Sequence, residues 1–554
     1  MTATNNAAIR MEVMGSVRRD GVLIGRVVST TGSQIVALLD GDVGDPNVVQ
    51  MGSLVSVCSP HANVYGIIAG LSTPMPRPAG EDPELKIAEI SLLGEVADRA
   101  VGGNGAFRRG VSKLPSLDAR VYMADQDETA IVYAFPSRPT VCIGSVHQDP
   151  RVPAFVSVDD LLGKHFAILG TTGSGKSCAL TLVLKQIFKQ NPNSHVLLLD
   201  PHGEYGCAFG SSAEHLTIES FRLPYWLLNF DEFVEVLFGN EKAEMGAEVM
   251  QLRELVLNAK LRFHGNGRDA NWVTVDSPVP YSLGDLTAQL DRAIGGLDNR
   301  GNLPTYLRLK ARLAALQTDR RYAFMFDLGI AVRDNLGALL GRLFRVPANG
   351  KPLAILDLVS IPSEALNVVV AVVCRLAFDF AVLSGRRAPL LLVCEEAHRY
   401  APRDTASGFE AAKRALLRIA KEGRKYGISL GVISQRPFEL ASNILSQCNT
   451  VFAFRMSNER DQEIIQATMS ETTAAIFSAL PLLGNSEAIA IGEGVPIPMR
   501  LRFAEVSEGE RPRSSSAKFS EHWKNADIDA ANELDRIVDM LRGRKVDLPS
   551  KIEI

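Results

Sequence analysis

The stretch FAILGTTGSGKS, residues 166–177, decides how this chain is read. Four apolar residues, Phe166 to Leu169, stop abruptly at Gly170, Thr171, Thr172, Gly173, Ser174, Gly175, Lys176 and Ser177, which match G-x-x-x-x-G-K-[ST] at every fixed position. The helix-forming run CALTLVLKQIFK follows at once. Glycines free of Cβ let backbone N–H groups close on phosphate oxygens, and the helix start adds its positive dipole end. The pattern calls for a nucleoside triphosphate, with Lys176 at its β- and γ-phosphates and Ser177 on Mg²⁺.

Working outward, further apolar runs supply the sheet that such a loop needs. SHVLLLD ends at Asp200 and reads as a parallel strand buried on both faces. PHGEY comes next, so Asp200, His202 and Glu204 stand just past a strand's carboxyl end, where open α/β sheets bind ligands. A polar turn capped by Asp200 is the other reading of the same residues. LAILDLV ends near Asp357. In PLLLVCEEAHRY a buried strand ends at Glu395 and Glu396, which suits one carboxylate on Mg²⁺ through water and a second that orients the attacking water. YGISLGVISQRP gives another buried strand with Gln435 at its tip, placed to hydrogen-bond a γ-phosphate. TVFAFRM, EAIAIGEG and MRLRFAEV extend the sheet.

The rest of the chain divides around this core. Residues 1–150 carry short alternating strands between Gly, Pro and Asp punctuation, without helices between them, and predict a small β-barrel or sandwich. Arg108 and Arg109 are expected in a solvated loop there. Residues 151–222 and 346–507 hold the ATPase-type core, and apolar spacing of three and four predicts a helical insertion at 223–345. Within the core a helix from about Phe409 to Arg424 places Arg414, Arg418, Lys421 and Lys425 on one stripe. Residues 508–554 form a polar linker and one amphipathic helix that would brace a neighbour.

Composition narrows the class. The chain has 554 residues, 46% hydrophobic and 22% charged, with a net charge of −4, so no global basic bias announces a polyanion and any such partner needs a local patch. Seven cysteines without a C-x-x-C pair argue against a zinc ribbon or a disulfide framework. No apolar signal core is evident at the start, and the longest apolar candidate, Ala365 to Leu383, is broken by Asn367, Arg375 and Asp379. A cytoplasmic protein without membrane spans is expected.

Taken together, GTTGSGKS, DPHGEY, LLLVCEEAHRYAP, IAKEGRKYGISLGVISQRP and FRMSNERD resemble the HerA family of hexameric DNA-translocating ATPases, related to FtsK-type pumps. The resemblance implies an α/β fold, a RecA-like P-loop ATPase core with an N-terminal HerA-type β-barrel and a helical insertion. It implies ATP and Mg²⁺ as cofactors, Glu396 as the catalytic carboxylate, Glu395 beside it on Mg²⁺, Gln435 as a sensor and Arg424 as an arginine finger reaching a neighbour's site. The segment from Asp200 to Glu204 is expected to line the same site. Where the family commonly has Asp, this chain has Glu395, whose extra methylene displaces the carboxylate. Expected partners are double-stranded DNA, further copies in a homohexameric ring, and a NurA-like nuclease or sirtuin-like effector docked on the barrel, in antiphage defence or DNA-end processing. A nucleotide-gated scaffold that activates an effector with little translocation is the alternative.

Overall fold

The computed structural model describes residues 21–513 except 41–48, 60–61, 74–84, 98–104, 136–137, 218–219, 240, 242–243, 265–269, 297–300, 328–331, 405–409 and 468–476, together with residues 520, 523 and 530–542. Residues 1–20 and most of the linker after 513 therefore lie outside the described residues.

Seven strands come first: β1 (Leu23–Thr31), β2 (Gln34–Leu39), β3 (Leu54–Cys58), β4 (Ala62–Ser72), β5 (Lys86–Ala97), β6 (Phe107–Arg109) and β7 (Arg120–Met123). They run in the order β2-β1-β7-β3-β4-β5, and β2 pairs again with β5, closing a six-stranded barrel on which β6 hangs. Closure leaves no open edge among the six. Alternate residues such as Ile24, Ile35, Val57, Ile68, Ile90 and Val121 fill its interior.

Eleven strands make the second sheet: β8 (Thr140–Val146), β9 (Pro153–Ser157), β10 (Phe166–Leu169), β11 (His195–Asp200), β12 (Ala213–Leu216), β13 (Leu353–Asp357), β14 (Leu390–Cys394), β15 (Ile428–Ser434), β16 (Thr450–Phe454), β17 (Glu487–Gly492) and β18 (Met499–Phe503). Their order is β12-β13-β11-β14-β15-β10-β16-β17-β18-β8-β9, parallel from β12 to β16 and antiparallel beyond. One strand, β15, thus lies between the phosphate-loop strand β10 and the carboxylate strand β14, the RecA-like arrangement. The continuous apolar runs are explained by two covered faces: Ala167 and Leu169 enter one core, Phe166 and Ile168 the other. The larger of these, Phe166, Ile168 and Leu169, each contribute about 1.5–3 kcal/mol.

Three expectations change. Strands β8 and β9 pair with each other and with β18, so residues 140–157 belong to the large sheet and the barrel ends well before residue 150. A helix, Gln126–Val132, follows the barrel, started by a capping box between Asp125 and Glu128. Arg109, though exposed, is no loop residue: it stands on β6 and donates to the carbonyls of Pro496 at 2.5 Å, Gly492 at 2.6 Å and Val495, fastening the barrel to the loop after β17. Arg108 remains exposed, paired with Glu95 at 3.1 Å.

Between β12 and β13 the chain is helical, with its longest helices at Gly246–His264 and Leu303–Thr318. Helix Ser363–Ser384 beneath the sheet is long and apolar enough to cross a membrane, which the sequence reading denied, yet 72% of its most apolar window is buried in the protein. Its Arg375 donates to Glu232 at 2.9 Å and to the carbonyl of Leu227 at 2.6 Å. Arg375, and Asn367 which donates to Glu235 at 2.9 Å, are therefore tethers to the insertion. A separate unit, residues 513–554, contains the helix Ala530–Leu541.

Candidate nucleotide site

The phosphate loop leaves β10 at Leu169 and enters the helix Lys176–Gln190. Two glycines shape it. Gly170 has φ 154°, and a Cβ there would stand 2.5 Å from that of Phe454; Gly175 has φ 109° at the helix N-cap. Thr171 anchors the loop to the end of β16, its amide and its Oγ1 both donating to the carbonyl of Arg455 at 3.0 Å. The loop is thereby an open cradle of amides at a helix start.

Lys176 is buried, and its Nζ donates to the Thr171 carbonyl at 2.9 Å. Burial lowers its pKa, while the charges of Glu395, Glu396 and Glu204 oppose that fall. Ser177 Oγ donates to Glu204 at 3.2 Å. Burial raises the Glu204 pKa, against the stabilising bond from Ser177. So Glu204 reaches the loop from the turn after β11.

Asp200 corrects the expectation that it binds the nucleotide. Its carboxylate accepts from the amides of Gly203 at 2.8 Å, Tyr205 at 3.0 Å and His202 at 3.2 Å, and it is 1% exposed. It caps the turn that delivers Glu204, and burial raises its pKa despite those bonds. His202 is exposed on that turn.

The two glutamates after β14 behave differently. Glu395 is buried behind the site, where its Oε2 accepts from Tyr205 OH at 2.6 Å. Burial pushes its pKa up to about 8, opposed by the Tyr205 hydrogen bond and aided by the charge of Glu396. The phenol thus occupies one oxygen of the carboxyl expected to hold Mg²⁺ through water. Glu396 adopts the left-handed region at φ 49°, which costs a non-glycine residue about 1–2 kcal/mol. Its Oε2 lies 3.2 Å from His398 Nδ1 and accepts from the Gln435 amide at 3.4 Å, while its buried Oε1 has no hydrogen-bond partner. That buried oxygen is left free to accept a hydrogen bond.

Gln435 joins the two halves, since its Oε1 accepts from Thr172 of the phosphate loop and its amide reaches Glu396. Sequence reasoning passed over Tyr205 and His398, although PHGEY and EEAHRY display both in plain view. His398 Nδ1 lies 3.1 Å from Ser434 Oγ, and burial lowers its pKa against the pull of Glu396.

Arg424 is elsewhere. It is exposed on the helix Glu410–Tyr426 and lines a cleft of about 780 Å³ with Asn193, Ser194, Pro389 and Ile428, residues that precede or begin β11, β14 and β15. The phosphate loop follows the opposite, carboxyl end of β10, the parallel neighbour of β15. At about 3.3 Å per residue the seven residues of β15 put roughly 20 Å between them.

ATP with Mg²⁺ fits these residues. The cradle is closed by positions a Cβ would fill, one carboxylate oxygen is buried without a partner, and no group of three or more His, Cys, Asp or Glu among the described residues could hold a metal unaided. A cation here would take most of its oxygens from phosphates and water, and Ser177 is the residue that would hold it.

Residues 141–377 match the family model described as helicase HerA, central domain. The chain is 24% identical over 517 residues to the DNA double-strand break repair helicase HerA of Pyrococcus furiosus, covering 83% of this chain and 86% of that one. It is 26% identical over 374 residues to the protein of the same name from Sulfolobus acidocaldarius, covering 66% and 69%. Among solved structures it is similar to VirB4 of Thermoanaerobacter pseudethanolicus, with 16% identity, 68% of this chain and 99% of that one covered, and a TM-score of 0.48. The chain is thus similar to HerA helicases over most of its length, and its central part matches their family model.

Proposed function

We propose that this chain is a HerA-type ATP-driven motor that closes head to tail into a hexameric ring and moves along double-stranded DNA. The observation that carries the reading is the position of Arg424, at the amino ends of the strands whose carboxyl ends hold the phosphate loop. No copy can bring its own Arg424 to its own triphosphate across the sheet. A second copy can, if the amino end of one sheet faces the carboxyl end of the next, and repetition of such a heterologous contact closes a ring.

Within each site Lys176 holds the β- and γ-phosphates, Ser177 takes a place on Mg²⁺, and Glu396 Oε1 orients the attacking water and draws its proton. Bound Mg²⁺ supplies neutralisation of phosphate charge. His398 and the Gln435 amide fix the other oxygen of Glu396, and Gln435 transmits any shift of Thr172 to the end of β15. Arg424 of the next copy stabilises charge as the γ-phosphoryl leaves, a contribution of about 10³ to 10⁵ in turnover in related chemistry.

DNA as the substrate is supported by the names of the relatives and by the ring itself, which concentrates positive side chains around an axis although the protomer carries −4. A nuclease or NAD-hydrolysing effector docks on the barrel, where the exposed Leu114 and Leu117 offer apolar contact, and the assembly works in the cytoplasm. ATP turnover measured with and without duplex DNA, alongside stepping on tethered duplex, tests the reading. Stimulation by DNA and movement abolished in Glu396→Gln are expected; turnover indifferent to DNA, with no movement, contradicts it.

A further inference from the structure

The strands that carry the catalytic residues continue into three loops that meet at one aromatic ring. Arg403 comes from the loop after β14, Phe438 from the turn after β15 and Arg460 from the helix Glu459–Ala467 after β16. The guanidinium carbons of Arg403 and Arg460 lie over the Phe438 ring, 4.9 Å and 5.5 Å from its centroid. Both arginines are exposed, and among the described residues neither forms an ion pair. The neighbouring acids are taken: Glu439 pairs with Arg436 at 2.7 Å, and Asp461 Oδ1 accepts from the Phe438 amide at 2.9 Å.

The backbone around the ring is built to hold this shape. The Arg403 amide donates to the Glu439 carbonyl at 2.6 Å, and the Ala441 amide to the Ala401 carbonyl at 2.9 Å. Two like charges on one ring repel each other, and the ring's face offsets that only partly, by about 0.5–1 kcal/mol per exposed cation. An anion with oxygens spaced to meet both forks completes the arrangement.

We propose that Arg403, Phe438 and Arg460 form a platform for the sugar–phosphate backbone of a nucleic-acid strand. The proposal rests on the motor reading above and deepens it by placing the DNA contact. It also supplies a link to the nucleotide. Arg403 follows Glu396 in the same loop, Phe438 follows Gln435, and Arg460 follows the Arg455 carbonyl that holds Thr171. A change at the γ-phosphate that moves the phosphate loop is felt by all three supports of the platform.

The test is duplex affinity, by fluorescence anisotropy between about 50 and 200 mM salt, of the full chain and of R403Q/R460Q. Losing two phosphate contacts should weaken binding and reduce the slope of log affinity against log salt by nearly two, about 0.9 for each contact. F438L keeps both charges and should weaken binding with little change of slope. R321Q, whose arginine is already paired with Asp319 at 2.7 Å, should bind as the unaltered chain does. Equal affinity and slope for R403Q/R460Q overturn the platform while leaving the motor intact. So does normal DNA binding with loss of assembly, which would turn the arginines toward a neighbouring copy. If the unaltered chain binds no DNA, the motor reading itself has failed. Should the double variant not fold, each single Gln variant must lose about one unit of slope, or the platform is wrong.

Discussion

The two ends of the large sheet are made of the same seven parallel strands and could hardly be less alike. At the carboxyl end, Lys176, Glu204, Glu395 and Glu396 crowd into a half-dry space, and burial shifts the pKa of the first three. At the amino end, Arg424 stands exposed beside a cleft of about 780 Å³. On the proposed reading the chemistry is distributed: one end would bind the triphosphate, and the other would offer a guanidinium to the site of another copy. A protein of this build gains by meeting its own copy.

The largest effect expected at the amino end comes from Arg424→Ala, which should lower ATP turnover by about 10³-fold or more while leaving nucleotide binding to each copy near normal. Turnover assays paired with binding of a labelled ATP analogue would show it. Equal losses of binding and turnover would move Arg424 back to the carboxyl end of the comparison.

At the carboxyl end, Glu396→Gln should cost about 10²- to 10⁴-fold in kcat with ATP still bound, the range of a positioned general base. Single-turnover hydrolysis separates that from a binding defect. A smaller loss, on the order of tenfold in kcat at nearly unchanged KM, is expected for His398→Ala, because His398 lies 3.2 Å from Glu396 Oε2 and would act only through it. His398→Asn restores a donor and should recover part of it, whereas a merely structural role for the imidazole would show as an equal fall in melting temperature for both variants.

The subtlest distinction is electrostatic. Glu395 has its pKa raised from 4.5 to about 8, so the folded protein keeps a proton that the unfolded chain has already released. Stability therefore falls as pH rises through that window, the direction opposite to an ion-paired carboxylate. Glu395→Gln should flatten the dependence of the urea midpoint on pH between about 4.5 and 8. Lys176, lowered below 10.5, adds stability with rising pH only at the alkaline side. An unchanged slope in the variant would mean that Glu395 is ionised in the folded state.

Much of this was legible in the sequence because it is local. FAIL, HVLLLD and LLLVC are continuous apolar runs, and only a strand covered on both faces tolerates that composition, while the phosphate loop is spelled by glycines at fixed positions. What escaped was set by distant partners. The alternation in β8 reads like one more barrel strand, and only its pairing with β18, more than 350 residues on, assigns it to the other sheet. Arg109 looks like any loop arginine until the carbonyls after β17 arrive beside it. Asp200 shows the limit from the other side. A carboxylate after a strand suggested either a cap or a ligand, and three backbone amides within five residues settled it as a cap.

Mixing two inactive variants tests the division between the ends most directly. Lys176→Ala destroys the binding end and spares Arg424; Arg424→Ala destroys the other end and spares the loop. If each site is shared, mixed assemblies contain interfaces with an intact loop from one copy and an intact Arg424 from the next, and ATP turnover returns on mixing. If turnover in the mixture stays at the level of the separate variants although they co-assemble, the site is complete within one chain and the account is contradicted.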